Sequence, residues 1–340
     1  MNSDDAQALQ AMLAPEAAAR VQSLRFAGGT VTLVLDASGL SAGERTALET
    51  GVRKALAREP DVAEVRVAMM ADKTDTPASA EPGGPRILAV GSGKGGVGKS
   101  TVSANLAVAL AKQGLKVGLV DADIYGPSQA RLLGTEGQRP TAHDKRLVPV
   151  SSEWGVPVLS MGHLSEPGQA IAWRGPMVAG ALTQLLEAHW DHADVLVVDL
   201  PPGTGDVQLT MLQKFKPAGA VIVSTPQDLA LMDATRAVEL FRKGGVPVVG
   251  VVENMAGYAC PHCGEVSDPF GAGGAENAAR DMDVPFLGRI PLDIAIRRES
   301  DAGTPVAAGE GEQARAFGNL AEAVAQWLAR APAPAASGAR

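Results

Sequence analysis

One run of residues carries the plainest chemistry in the chain: Gly93-Lys94-Gly95-Gly96-Val97-Gly98-Lys99-Ser100-Thr101. Gly93, Gly98, Lys99 and Ser100 satisfy G-x-x-x-x-G-K-[ST], a phosphate-binding pattern. Its glycines let backbone N–H groups turn toward phosphate oxygens, Lys99 can reach the β- and γ-phosphates, and Ser100 can ligate Mg2+. The flanks agree with that reading. Ile87-Leu88-Ala89-Val90 reads as a short buried strand before the loop. Ser103 to Lys112 reads as a helix after it, with its N-terminus toward the anion. Lys94 is surplus to the motif, because Lys99 already fills the lysine position. A second cation there has no work to do on its own phosphate cradle.

Further chemistry gathers at the ends of apolar runs. Leu119-Val120-Asp121-Ala122-Asp123 sets two carboxylates just past a strand, where they can face Mg2+ and an attacking water. Val195-Leu196-Val197-Val198-Asp199 is an apolar strand ending in an acid, the Walker B form, which bonds Mg2+ directly or through water. In the Leu200-Pro201-Pro202-Gly203-Thr204-Gly205-Asp206 segment, Gly203 can offer its N–H to a γ-phosphate as a switch loop does. Asp206 reads equally as a switch residue or a helix N-cap. Asn254 ends a late strand, where a turn-forming role is the alternative to a place in the site.

Cys260-Pro261-His262-Cys263 follows closely. Thiolates at this spacing bind one soft metal centre, and Gly264 suits the tight turn after them. Zinc and [4Fe–4S] centres take four ligands, so the pair supplies half a site and a homodimer supplies the rest. His262 reads as solvent-facing rather than as a ligand. A redox dithiol and a chance pairing are the other readings, and there is no thioredoxin-like βαβ context at this motif.

The chain has 340 residues, enough for a large α/β domain and a small one. Apolar residues make up 46% and aromatics 4%, so the core must rest on Ala, Val and Leu. A net charge of −8 argues against broad nucleic-acid binding, which needs a basic face. Met1-Asn2-Ser3-Asp4-Asp5 is acidic and unlike the start of a signal peptide, and the apolar runs are of strand length rather than bilayer length. The expectation is a cytoplasmic protein with no nucleic-acid or membrane partner. In that compartment two cysteines serve as ligands or redox groups rather than as a disulfide.

The elements that must position these groups are legible. Residues 1–70 form a small unit: Val21 to Phe26 and Thr30 to Leu35 alternate as a hairpin, Ser41 to Ala57 is helical, and Val62 to Met69 alternates again. Residues 71–85, rich in Ala, Pro, Ser and Thr, read as a flexible linker, and 331–340 as a disordered tail. Across 86–330, apolar runs at Lys116–Val120, Val156–Ser160, Val195–Leu200, Ala220–Ser224, Val246–Val252 and Val284–Leu287 alternate with helical stretches. That pattern predicts an α/β fold, a doubly wound and mostly parallel sheet with ligands at the carboxyl ends of its strands.

The loop Gly-Lys-Gly-Gly-Val-Gly-Lys-Ser-Thr resembles that of the MinD/ParA-like ATPases. The full set is more specific: GKGGVGKST, DADIYGPS, WRGPM (Trp173 to Met177), VVDLPPGTGD, STPQDLALMDATRA and VVENM followed by C-P-H-C-G. Over Arg86 to Ala329 it resembles the Mrp/ApbC-type iron–sulfur carrier ATPases. The resemblance implies that residues 93–101 bind ATP with Mg2+ at Ser100 and Asp199. It implies that Lys94 crosses a dimer interface to the partner's nucleotide, that Asp123 is needed for hydrolysis, and that Asp121 supports the metal. Asn254 would pair with the adenine edge, and the loop holding Pro291 and Asp293 would pack on the base. Cys260 and Cys263 of two copies would hold a labile [4Fe–4S] cluster, received from a donor and passed to apo iron–sulfur proteins. Residues 1–70 resemble a small domain often fused to iron–sulfur assembly proteins, without the cysteine such domains often carry.

Two rival readings fit the same residues. A positioning ATPase needs a basic DNA-binding surface or a membrane helix. The last helix, Gln313 to Arg330, is amphipathic with few basic residues and reads as core packing. A zinc-stabilised dimer with nucleotide-switched partner binding would keep the loop and lose the cluster.

Overall fold

The computed structural model describes residues 9, 12–27, 29–36, 42–57, 59, 62, 64–70, 84–164 and 175–331. The acidic start, Ser41, most of the 71–85 linker, Trp173 and the 332–340 tail lie outside the described residues. The chain divides into two units, Met1–Ala80 and Glu81–Arg340.

In the first unit a short helix α1 (Pro15–Ala18) precedes β1 (Val21–Ala27), β2 (Thr30–Asp36), α2 (Ala42–Leu56) and β3 (Glu64–Met70). β1 pairs antiparallel with β2, and β2 pairs parallel with β3. Alternation drives this sheet: Val31, Leu33 and Leu35 share one face, are fully buried, and pack with Val52 and Leu56 of α2. The sequence gives no sign of α1, because one helical turn is too short to show a period.

The second unit runs β4 (Arg86–Gly91), α3 (Lys99–Lys112), β5 (Val117–Asp121), α4 (Gln129–Leu132), the hairpin β6 (Thr141–His143) and β7 (Arg146–Val148), then β8 (Val158–Ser160). It continues with α5 (Met161–Leu164), α6 (Gly175–Leu186), β9 (Val195–Asp199), α7 (Asp206–Thr210), β10 (Gly219–Ser224), α8 (Asp228–Lys243) and β11 (Val248–Asn254). A hairpin of β12 (Tyr258–Ala259) and β13 (Val266–Ser267) leads to α9 (Gly274–Asp281), β14 (Phe286–Ile290), α10 (Ile294–Ala302) and α11 (Glu312–Arg330).

Seven strands form one sheet in the order β14-β11-β10-β4-β9-β5-β8. Every pairing in it is parallel. The chain moves outward from β4 to β5 and β8, returns through β9, and crosses to β10, β11 and β14. The order thus reverses around β4, the strand that feeds the phosphate loop.

The unbroken apolar strands are explained by two cores. Leu88, Val90, Val195, Val197, Val221 and Val223 face one core with Leu106 and Leu110 of α3 and Phe317 and Val324 of α11. Their neighbours Ala89, Leu196, Val198, Ala220 and Ile222 face the other, with Leu182 and Leu185 of α6 and Val238 and Phe241 of α8. α11 is thereby a core-packing helix, and no helix among the described residues is long and apolar enough to cross a membrane.

α3 begins at Lys99, one turn before the expected Ser103. The loop's last residues are the first helical turn, so the free N–H groups of that turn belong to the phosphate cradle. Asp206 is likewise the first residue of α7, with Gly205 at the cap position.

Candidate nucleotide and metal sites

The phosphate loop joins β4 to α3, and two glycines show how tightly it is held. A Cβ on Gly98, at φ +79, would lie 2.1 Å from Asn254 Nδ2. A Cβ on Gly93 would lie 2.0 Å from the Asp233 carbonyl carbon. The motif glycines are therefore packing requirements as well as turn formers. Asn254, at the end of β11, donates from Nδ2 to the Val97 carbonyl at 2.8 Å and so braces the loop from the neighbouring side.

Beneath the loop lies a buried polar cluster. Lys99 Nζ is 2.6 Å from Asp199 Oδ1, and both side chains are almost wholly buried. Ser103 Oγ donates to the same Asp199 oxygen at 2.7 Å. Gln129 Nε2 donates to Asp199 Oδ2 at 2.8 Å and to the Ser100 carbonyl at 3.0 Å. Lys99 also reaches Ser100 Oγ at 3.2 Å. The loop lysine is thus folded back onto the strand-end acid, and a phosphate must draw it away.

Asp121 lies in the same cluster. Its Oδ2 accepts from Ser128 N–H (2.8 Å), Gln129 N–H (2.9 Å) and Ser160 Oγ (2.8 Å). Its Oδ1 accepts from Asp123 N–H at 3.2 Å. Burial, and then the Asp199 charge, push Asp121 up to about 7, against the pull of the Gln129 N–H and the Ser160 hydroxyl. Asp123 is 8% exposed, and its Oδ1 accepts from the N–H groups of Tyr125 and Gly126, at 3.1 and 3.2 Å. These bonds aim the loop that follows β5. Lys94 is half-buried, with no carboxylate in ion-pair range among the described residues.

Gly203 sits at φ +87 with its N–H on the Ser92 carbonyl at 2.9 Å. It can serve a phosphate only once that bond opens. Asp293 caps α10, its Oδ1 accepting from Ala295 N–H at 2.6 Å and its Oδ2 from Gln313 Nε2 at 2.7 Å. Pro291 lies beside the root of the cysteine hairpin, where Leu292 N–H donates to the Gly257 carbonyl at 2.9 Å. Ala256 N–H donates to the Ile290 carbonyl at 3.0 Å, so Asn254, this root and the Pro291 loop form one connected surface.

Cys260 and Cys263 occupy the tip of the β12–β13 hairpin. Cys260 is half-buried and Cys263 exposed. Gly264, at φ +74, returns its N–H to the Cys260 carbonyl at 2.8 Å, and Cys260 N–H donates to the Glu265 carbonyl at 2.9 Å. The N–H groups of His262 and Cys263, then the Cys263 thiol, hold the Cys260 thiol below its ordinary value. This favours the thiolate that a metal needs. No group of three or more His, Cys, Asp and Glu side chains with metal-binding geometry occurs among the described residues. His262 is therefore not joined to the pair in such a group.

Sequence reasoning missed Ser103, Gln129 and Ser160 in the buried cluster, and also Glu253. Ser103 is four residues after Lys99 on the same helix and could be read from that spacing. The other three depend on which strands and loops become neighbours. Glu253, fully buried, accepts from Ala275 N–H (2.8 Å), Gly273 N–H (3.3 Å) and Arg289 Nε (3.0 Å), tying α9 and β14 to the end of β11.

A family model described as ParA, the NUBPL iron-transfer P-loop NTPases, matches residues 85–325. The chain is 47% identical over 284 residues to the iron–sulfur cluster carrier protein of Deinococcus radiodurans, covering 83% of this chain and 80% of that one. It is 41% identical over 306 residues to the protein of the same name from Synechocystis, covering 87% and 86%. Among solved structures it resembles a nucleotide-binding protein from Archaeoglobus fulgidus in complex with ADP, at TM-score 0.57 and 39% identity, covering 74% of this chain and 93% of that one. The cell division ATPase MinD of Pyrococcus furiosus follows at TM-score 0.55 and 29% identity, covering 71% and 99%. A phosphate loop on a reversed parallel sheet, a buried lysine–aspartate pair beneath it and these likenesses place the chain in the iron-transfer P-loop NTPases of the ParA group.

Proposed function

We propose that the protein is a homodimeric ATPase that carries a [4Fe–4S] cluster between two copies and passes it to apo iron–sulfur proteins. The observation that carries this reading is the Cys260–Cys263 pair, one thiol half-buried and the other exposed. It offers two thiols on a turn closed by its own backbone bonds, and no metal-binding group of three or more ligands forms among the described residues. A second copy completes a four-thiolate site. Carriage suits an exposed site, since an acceptor's thiols must reach the cluster.

ATP binds at residues 93–101, with Lys99 on its phosphates and Asn254 and the Pro291–Asp293 loop beside its base. Ser100 and Asp199 hold Mg2+, backed by Asp121, and their oxygens beside the loop lysine suit a hard cation. When bound, Mg2+ offsets charge on the phosphate oxygens. Lys94, without a carboxylate partner among the described residues, reaches the nucleotide of the other copy. Asp123 orients the attacking water, and Gly203 leaves Ser92 for the γ-phosphate. Because Asn254 bonds the phosphate loop and lies two residues before Ala256 at the hairpin root, nucleotide state biases the geometry of the cysteine pair. The setting is the cytoplasm, and residues 1–70 act as a separate small domain on a linker.

The test is anaerobic reconstitution of wild type beside Cys260→Ser/Cys263→Ser. Iron and acid-labile sulfide near four of each per wild-type dimer, and none in the variant, is the expected result. Zinc near one per dimer without sulfide would instead make the hairpin a structural knuckle.

A further inference from the structure

Gln129 is fully buried, and every polar group it carries is engaged except one. Its N–H donates to Asp121 Oδ2, and its carbonyl accepts from Leu133 N–H at 3.0 Å. Its amide nitrogen lies on Asp199 Oδ2 and on the Ser100 carbonyl. Both of those partners only accept. The amide therefore cannot be turned over, since its oxygen would then face a carboxylate and a carbonyl. That leaves Oε1, which is buried with no hydrogen-bond partner among the described residues. The hydroxyl of the adjacent Ser128 is buried and unpartnered among them as well.

A buried acceptor without a donor is costly to a folded chain, and it persists where something outside the chain supplies the donor. The kind of donor can be narrowed by chemistry. Oε1 lies one amide width from the nitrogen that holds Asp199 and Ser100. Phosphate oxygens beside those residues accept and do not donate. The donors of a nucleotide's sugar and base belong to its other end. Water on a divalent cation does donate, and Mg2+ held by few protein ligands keeps several waters.

We propose that Gln129 is a positioning residue for the hydrated divalent cation of the nucleotide complex. Its amide nitrogen fixes Asp199 and the phosphate loop, and Oε1 accepts from a water on the ion. This rests on the Mg–nucleotide reading given above. Gln129 touches neither phosphate nor the attacking water, so it acts on how strongly the cation strengthens nucleotide binding.

The experiment titrates the full chain with methylanthraniloyl-ADP in EDTA and across a range of Mg2+ concentrations. For Gln129→Met, loss of the amide nitrogen's bonds to Asp199 and Ser100 lowers affinity in EDTA, and the Mg2+ concentration for half-maximal enhancement should rise about tenfold beyond that loss. Gln129→Asn keeps the amide but draws both of its ends back by one bond, so its Mg2+ requirement should also rise above that of wild type. Equal Mg2+ dependence in wild type and Gln129→Met overturns the proposal. Equal weakening with and without Mg2+ also overturns it, because it marks Gln129 as packing alone. Where the Met variant does not fold, the Asn variant decides, and an unchanged or lowered Mg2+ requirement overturns the proposal. A wild type that binds no nucleotide under either condition overturns the underlying site reading, a separate result.

Discussion

The phosphate-loop end of the sheet and the cysteine hairpin lie in the same unit, yet they are built on opposite terms. Beneath the loop, Lys99, Ser103, Asp121, Gln129 and Asp199 are buried and bonded to one another. At the hairpin, Cys263 is exposed, Val266 is 67% exposed, and the turn rests on its own backbone bonds. The first region is coupled to stability, because a buried charge that loses its partner stays buried. The second carries little stability and is free to meet another molecule. A site that binds and turns over its ligand is embedded in the fold, while a site that gives its cargo away stands outside it.

The largest effect that can break this contrast is expected at Asp199. Asp199→Ala leaves Lys99 buried without its partner and should cost about 3–5 kcal/mol, read as urea denaturation. A loss under 1 kcal/mol would show that the cluster is not the structural keystone described. Next is Gly98→Ala, whose Cβ meets Asn254. It should weaken ATP binding at least about a hundredfold, near 3 kcal/mol, by fluorescence titration, while Cys260 and Cys263 still take up metal. Parallel loss of both would deny that the regions are separable. Asp123→Ala should bind ATP and hydrolyse it about 100-fold more slowly. Cys260→Ser and Cys263→Ser should abolish cluster binding yet shift stability by less than about 0.5 kcal/mol, as exposed substitutions do.

The smallest effect concerns pH. His163 is buried, which lowers its pKa from 6.5, although Thr135 beside it pulls the other way. The unfolded chain thus takes up this proton before the folded one does. Stability should be full above pH 6.5 and decline as pH falls through the lowered value. His163→Gln should flatten that acid slope.

Much of both regions was legible in the residues. The phosphate loop, Asp199 and the cysteine pair are local patterns, and each strand is a continuous apolar run whose alternate residues serve two cores. What could not be read is what depends on neighbours across the sheet. Gln129 meets Asp199 only because β5 and β9 lie side by side, and Asn254 meets Val97 because β11 ends beside the loop. Asp293, expected beside the base, has both oxygens bonded at the start of α10 because Gln313 of α11 comes to meet it. The early start of α3 at Lys99 was hidden by glycines that read as loop, although the same glycines lead directly into the helix.

Everything proposed for the hairpin depends on two copies sharing one cluster through Cys260 and Cys263. Native mass spectrometry of the anaerobically reconstituted full chain tests it directly. The expected species is two chains carrying a single [4Fe–4S] cluster, absent from Cys260→Ser/Cys263→Ser. A single chain retaining the whole cluster, or a dimer holding only zinc, would contradict it.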